Sequence, residues 1–82
     1  MKEKITIRKA LALGAASKSR PRCRRVIERD GLRPVVNEDG TLDAHGARDR
    51  CGRYHRLSDG LCRELRHMLV EGRWPGLLPK GC

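Results

Sequence analysis

Apolar residues near the start of the chain recur at the spacing of an amphipathic helix. Four of them share one face at i, i+3, i+4 and i+7, namely Ile7, Ala10, Leu11 and Gly14. Thr6 precedes them and suits the N-cap, because its hydroxyl can accept a hydrogen bond from an amide of the first turn. The pattern predicts a first helix over about residues 6–14, followed by a short turn.

A second helix is predicted over about residues 20–30. Ser17 or Ser19 can cap its start, since a serine hydroxyl also accepts from the open amides of a first turn. Gly31 suits the left-handed position that closes a helix, and Leu32 would then fold back on the apolar face of the last turn. This pair predicts where the second helix ends.

A β-hairpin is predicted after the second helix. The dipeptide Asp39-Gly40 is typical of a two-residue type I′ loop between antiparallel strands. Such a loop pairs Asn37 with Leu42 and places Val35 on the same face as Leu42. Residues 43–52 show no periodicity, which predicts a mobile loop.

A third helix is predicted after a short returning strand at about residues 53–57. Ser58 suits its N-cap, and Gly72 suits its end. Between them lie apolar residues at i, i+4, i+7 and i+8, namely Leu61, Leu65, Met68 and Leu69. Beyond this helix, Trp74 is expected to fold back on the small core.

The length and composition limit the range of functions. The 82 residues suffice for one small domain, which we assign to residues 1–72, with 73–82 as an irregular, flexible C-terminal tail. One Trp, one Tyr and no Phe leave little for an aromatic-lined pocket, so we do not expect an enzyme. Arg8 and Lys9 interrupt the N-terminal apolar stretch and no run is long enough to cross a membrane, so we expect a cytoplasmic protein.

Positive charge is concentrated at one end of the chain. Nineteen Lys and Arg against ten acidic residues give a net charge of +9. Residues 1–29 alone carry ten basic and two acidic side chains. Such an excess favours a polyanion as partner. Because few aromatic side chains are present to stack on exposed bases, duplex DNA is the better nucleic-acid candidate.

Two short helices joined by a tight turn, the second rich in arginine, have the organisation of a helix-turn-helix. On this interpretation the turn and second helix supply DNA-binding residues, namely Ser17, Lys18, Ser19, Arg20, Arg22, Arg24 and Arg25. The hairpin that follows would be a wing, in which Arg48, Arg50 and Arg53 hold backbone phosphates. The predicted fold class is therefore mainly α with a small β-hairpin, as three short helices plus a wing.

Three stretches carry a further pattern: TIRKALALG at residues 6–14, IERDGLRP at 27–34, and YHRLSDGLCREL at 54–65. Together they resemble the MerR and excisionase group of winged helix-turn-helix DNA-binding domains. That group has a Thr-Ile helix start, a Gly turn, a Tyr-Glu-Arg-x-Gly-Leu-x-Pro ending and a Tyr-Arg-x-Tyr-Ser entry into its third helix. This chain departs from it by extra residues before Glu28 and by a longer wing loop. The resemblance implies a small regulator of transcription or recombination, of the type that phages and mobile elements encode.

A function from a different class stays open at this point. A compact basic protein could instead be an inhibitor that binds a larger nucleic-acid enzyme, such as RNA polymerase or a nuclease, through protein–protein contacts. A run of arginines is also often only a solvated surface. The sequence does not separate these alternatives, because one basic patch serves either partner.

Cysteine and histidine offer a third alternative, a structural zinc site. Cys51, His55 and Cys62, with Cys23 or His67, would supply four ligands. No C-x2-C pair is present, so we expect no metal and no other cofactor. The simpler interpretation of Cys62 is a small core residue on the third helix.

Overall fold

Three helices pack against a small antiparallel sheet in this computed structural model, which describes residues 3–74 and 76. In chain order the elements are β1 (Lys4–Ile5), α1 (Ile7–Ala16), α2 (Pro21–Asp30), β2 (Arg33–Val36), β3 (Leu42–Arg48), β4 (Tyr54–Arg56) and α3 (Asp59–Val70). The three predicted helices are present. The sheet is larger than the predicted hairpin, since it contains four strands.

The two ends of α1 are closed by hydroxyl side chains. Thr6 Oγ1 accepts a hydrogen bond from the Lys9 amide at 3.1 Å, as the sequence predicts. At the other end, the Ser17 amide and hydroxyl both donate to the Gly14 carbonyl, at 3.3 and 3.0 Å. Ser17 therefore ends α1, and the prediction that it caps the second helix is wrong.

The second helix begins and ends by different means. Arg20 is the N-cap residue of α2, and Pro21 occupies the first turn. The Arg20 side chain makes no capping hydrogen bond. The expected serine cap is therefore wrong. At the other end Gly31 is left-handed, with φ of 64°, and the Leu32 amide donates to the Ile27 carbonyl at 2.9 Å. The predicted helix end is confirmed.

The turn between β2 and β3 is longer than predicted. The Asn37 amide donates to the Thr41 carbonyl at 2.7 Å, and Val36 lies opposite Leu42. In this turn only Gly40 has a positive φ, of 84°, whereas a type I′ loop needs two such residues. The type I′ prediction and its pairing of Asn37 with Leu42 are therefore wrong.

The segment predicted as a mobile loop contains the central strand of the sheet. β3 pairs with β2 on one edge and with β1 and then β4 on the other, always antiparallel. Opposite β2 the register jumps, because Val36 faces Leu42 whereas Pro34 faces Ala47. This irregularity puts Leu42 and Ala47 on the same buried side although five positions separate them. The strand thus lacks the alternation by which sequence analysis recognises strands.

The third helix is the centre of the packing. The residues buried in the core form two clusters: Ile27, Leu32, Ala47, Leu65 and Met68 in one, and Ala10, Leu42 and Leu69 in the other. Trp74 packs against both clusters, which confirms that it folds back on the core. The rest of the predicted tail, except Gly76 and the half-exposed Arg73, lies outside the described residues.

Helices α1 and α2 flank α3 on opposite sides. Gly14 of α1 lies against the backbone of Arg66, and α2 meets the side chain of Glu64. These two positions of α3 are about 200° apart around the helix. The arginine-rich helix α2 therefore has one side against α3 and the sheet, and one side open to solvent.

Candidate nucleic-acid interface

Three arginines form a line along the solvent side of α2, which we call the α2 arginine stripe: Arg22, Arg25 and Arg29. Their spacing of i, i+3 and i+7 keeps them within about 60° of one another around the helix. Ile27, which is 1% exposed, lies on the opposite side. Arg29 pairs with Asp30 at 3.1 Å, while Arg22 and Arg25 make no ion pair within the described part of the chain. Two guanidinium groups of the stripe are thus open to a ligand.

Arg24 has a different role from its neighbours, although the sequence analysis grouped them together. Its Nε lies 2.9 Å from a Glu64 carboxylate oxygen, and its Nη2 lies 2.9 Å from Glu71. Glu71, and then Glu64, raise the pKa of Arg24, and Arg24 in turn lowers the pKa of Glu71. Arg24 therefore binds α2 to α3, and its charge is already balanced inside the protein.

Glu64 organises the segment that joins α1 to α2. Its side chain is completely buried, yet it accepts hydrogen bonds from the Ser19 hydroxyl at 3.3 Å, from the Arg20 amide and from Arg24. The carboxylate thereby caps the N-terminus of α2 from another helix, where the positive end of the helix dipole favours a negative charge. Among the predicted DNA-binding residues of this segment, Ser19 is hydrogen-bonded to Glu64, whereas Lys18 is exposed.

Sequence reasoning missed Glu64, and it counted Arg29 in the basic segment without naming it as a DNA-binding residue. Glu64 lies three residues after Leu61 and four before Met68, so its position on the buried side of the third helix was a usable signal. Arg29 completes the i, i+3, i+7 spacing of the stripe. The Arg20 side chain is exposed and passes beside Gly60 at the start of α3.

The loop between β3 and β4 is organised around one carboxylate. Asp49 Oδ1 accepts from the Cys51 and Arg53 amides, both at 2.9 Å, and Oδ2 lies 2.7 Å from His55 Nε2. These contacts, with His55 first, lower the pKa of Asp49. Arg48 adds a bond to the Gly52 carbonyl at 3.0 Å. The loop has a defined shape, and the predicted phosphate contact Arg53 is exposed at its end.

Arg50 joins this loop to the end of α2. Its amide donates to the Asp30 carbonyl at 3.2 Å, and its Nη2 donates to the Arg29 carbonyl at 3.4 Å. The side chain lies against Gly31, where an added Cβ would crowd it. Arg50 of the loop therefore lies beside Arg29, at the C-terminal end of the α2 arginine stripe.

The candidate zinc ligands are not brought together. Cys51 is exposed in the β3–β4 loop, His55 pairs with Asp49, and the His67 ring bonds to the Gly14 carbonyl at 3.1 Å. Cys62 is buried in the core, which raises its thiol pKa. Among the residues that the structure describes, no three His, Cys, Asp or Glu side chains are placed to hold a metal ion.

Comparison with protein-family models, with curated proteins and with solved structures found no match to this chain. Within residues 3–74, every helix is too short and too polar to cross a membrane. The geometry and charge of the basic surface are therefore the observations that bear on function.

Proposed function

We propose that this protein binds duplex DNA through the α2 arginine stripe and the β3–β4 loop, and that it regulates transcription or recombination. The observation that carries the proposal is that neighbouring arginines of α2 differ in whether they have an acidic partner inside the protein. Arg24 is used inside the protein, whereas Arg22 and Arg25 project to solvent without an ion pair in the described residues. Exposed positive charges without such an ion pair favour the binding of an external polyanion.

The dimensions of the surface suit a DNA groove. A ten-residue helix such as α2 is about 15 Å long, and a B-DNA major groove is about 12 Å wide and admits one helix. Arginine pairs with phosphates and with guanine edges through two hydrogen bonds at once. Arg50, beside the C-terminal end of α2, and the exposed Arg53 of the same loop would hold phosphates beside the groove.

The proposal includes the winged helix-turn-helix class, with α1 and α2 as the helix pair and the β3–β4 hairpin as the wing. The order of elements and the motif resemblance support it. The wing differs from the one expected from sequence, because the basic loop follows β3, whereas the β2–β3 turn is acidic. We further propose a cytoplasmic DNA-binding regulator of the phage type, with a binding role and no catalytic one.

The test is a gel shift with random-sequence duplex DNA at increasing salt. Replacing Arg22 and Arg25 together, as R22Q/R25Q, removes two phosphate contacts and should weaken binding and reduce the salt slope by roughly two. The matched control is R8Q/K9Q, which removes the same charge from α1 on the other side of α3. This control should leave the slope close to that of the unchanged protein.

Two results would contradict the proposal. If the control lowers the slope as much as R22Q/R25Q does, then overall charge and not this surface attracts the DNA. If the unchanged protein does not bind duplex DNA at about 50 mM salt, where such contacts are strong, a protein partner such as RNA polymerase or a nuclease is favoured instead.

A further inference from the structure

The side of the sheet that faces away from α3 carries a second group of functional side chains. Arg33 lies opposite Arg48, and Arg48 lies opposite Tyr54, so these three residues share one face. Their neighbour Ala47 is completely buried in the core, which places them on the outer side. Arg56 joins them, because it pairs with Gly46, which lies two positions before Arg48 and therefore on the same side of β3. We call Arg33, Arg48, Tyr54 and Arg56 the outer sheet face.

Tyr54 is held in place on this face while remaining accessible. The hydroxyl end of its ring lies against Gly46, in the space that a Cβ would fill at that position. Its hydroxyl donates to an Asp43 carboxylate oxygen at 3.1 Å. The residue is nevertheless 37% exposed. An aromatic ring fixed at an exposed position loses little entropy when a flat ligand stacks on it.

The arrangement of the arginines on this face favours the binding of an anion and does not stabilise the fold. Like charges directly opposite each other across antiparallel strands are destabilising, and Arg33 and Arg48 are such a pair. Neither they nor Arg56 pairs with a carboxylate among the described residues. Arg48 uses one of its five N–H donors on the Gly52 carbonyl. A bound polyanion would offset this repulsion.

We propose that the outer sheet face binds single-stranded nucleic acid, with Tyr54 stacking on an unpaired base and Arg33, Arg48 and Arg56 holding the adjacent phosphates. Aromatic rings and cations placed together are the usual means of holding a single strand. A paired base presents no face to such a ring, so this ligand differs from the duplex proposed for α2. Arg48 borders both surfaces, so the inference is tested through Tyr54, which is not among the residues proposed to hold duplex DNA.

The experiment measures binding of labelled oligo-dT and oligo-U, each of about 12 nucleotides, by fluorescence anisotropy at low salt. Tyr54→Leu removes the ring and should weaken binding by about tenfold, the effect expected for one lost base stack. Tyr54→Phe keeps the ring and should retain most of the affinity. Tighter binding of one oligomer supports the proposal and shows which of the two single strands, DNA or RNA, is preferred.

Separate readouts distinguish this inference from the duplex proposal. Tyr54→Leu should not change duplex affinity, and R22Q/R25Q should not change oligo-dT affinity. The inference is overturned if neither oligomer binds, if Tyr54→Leu binds as the unchanged protein does, or if Tyr54→Phe is as weak as Tyr54→Leu. Should Tyr54→Leu fail to fold, Tyr54→Trp replaces it. Oligo-dT should then quench the fluorescence of the exposed indole. If the fluorescence is not quenched, the stacking is overturned.

Discussion

The most consequential single residue for the proposed interface is one that would not touch DNA. Glu64 is fully buried on α3, and its carboxylate holds the Ser19 hydroxyl, the Arg20 amide and the Arg24 guanidinium. A buried charge is tolerated only when it is paired and hydrogen-bonded, and these three donors satisfy that condition. Through them, one carboxylate determines where α2 starts and which of its arginines point outwards.

Replacing Glu64 by Ala should lower the free energy of unfolding by about 3 kcal/mol, because Arg24 and the first turn of α2 lose their partner in the interior. Urea unfolding followed by Trp74 fluorescence measures the change. The matched control is Glu28→Ala, which removes a half-exposed carboxylate that pairs with Arg73 at 3.6 Å. That variant should remain close to the unchanged protein, since exposed pairs contribute little. Equal stability of the two variants would contradict the role given to Glu64.

The elements differ in how they present their charges. In α2, neighbouring arginines have opposite roles, because one side of the helix faces α3 and the other faces solvent. The β3–β4 hairpin depends on Asp49, whose carboxylate binds two loop amides and His55. Both elements therefore use an acidic residue to fix the positions of basic ones.

The shape of the β3–β4 loop should depend on pH through Asp49. The folded-state pKa of this carboxyl lies below the value of about 3.9 that is usual for an unfolded Asp, and the hydrogen bond with His55 is the largest cause. A lowered pKa means that the loop contacts are fully present above that value and are lost as the pH falls through the folded-state pKa. The amide shifts of Cys51 and Arg53, measured by NMR, should therefore change together only below about pH 4.

Asp49→Asn provides the comparison for this titration. It lacks the charge, so the acid transition at the two loop amides should be absent while the rest of the spectrum titrates as before. An acid transition at these two amides that is as large in Asp49→Asn as in the unsubstituted protein would show that Asp49 does not hold the loop.

At the scale of the whole molecule, α3 connects everything else. It meets α1 at Gly14, α2 at Glu64 and the sheet through its apolar residues. The close approach of α1 depends on a missing side chain, because a Cβ on Gly14 would collide with the Arg66 carbonyl oxygen. Two surfaces of the folded chain carry groups of basic side chains, α2 with its adjacent loop and the outer sheet face.

Gly14→Ala should destabilise the fold by about 2 kcal/mol, although alanine favours an isolated helix, because the collision is with backbone that cannot turn away. The control is Gly60→Ala on α3, where the nearest atoms to the added methyl lie 3.5 Å away, an ordinary contact. This second variant should be as stable as the unchanged protein or slightly more so. Thermal unfolding of both measures the difference, and a Gly14→Ala protein of undiminished stability would refute the close approach.

Local signals predicted the helices well and the sheet poorly. Thr6, Ser58 and Gly31 act on backbone within a few residues, so their roles were visible in the sequence. The strand β3 was invisible because its register jump places Leu42 and Ala47 on one side and removes the alternation. The prediction of the preceding turn was wrong for a similar reason. Asp39-Gly40 is compatible with loops of two lengths, and only the strand pairing selects one of them.

The same distinction applies to the candidate interface. The sequence by itself determined the density of arginine between residues 18 and 29, the helix that carries it and the basic character of the 48–53 segment. Only the tertiary structure decided that Arg24 turns inwards and that Tyr54 and Arg33 share an exposed face. Helix periodicity is a local property of the backbone. The partner of Arg24 lies 40 positions away, at Glu64, and the face that Arg33 occupies depends on its pairing with Arg48, which is 15 positions away.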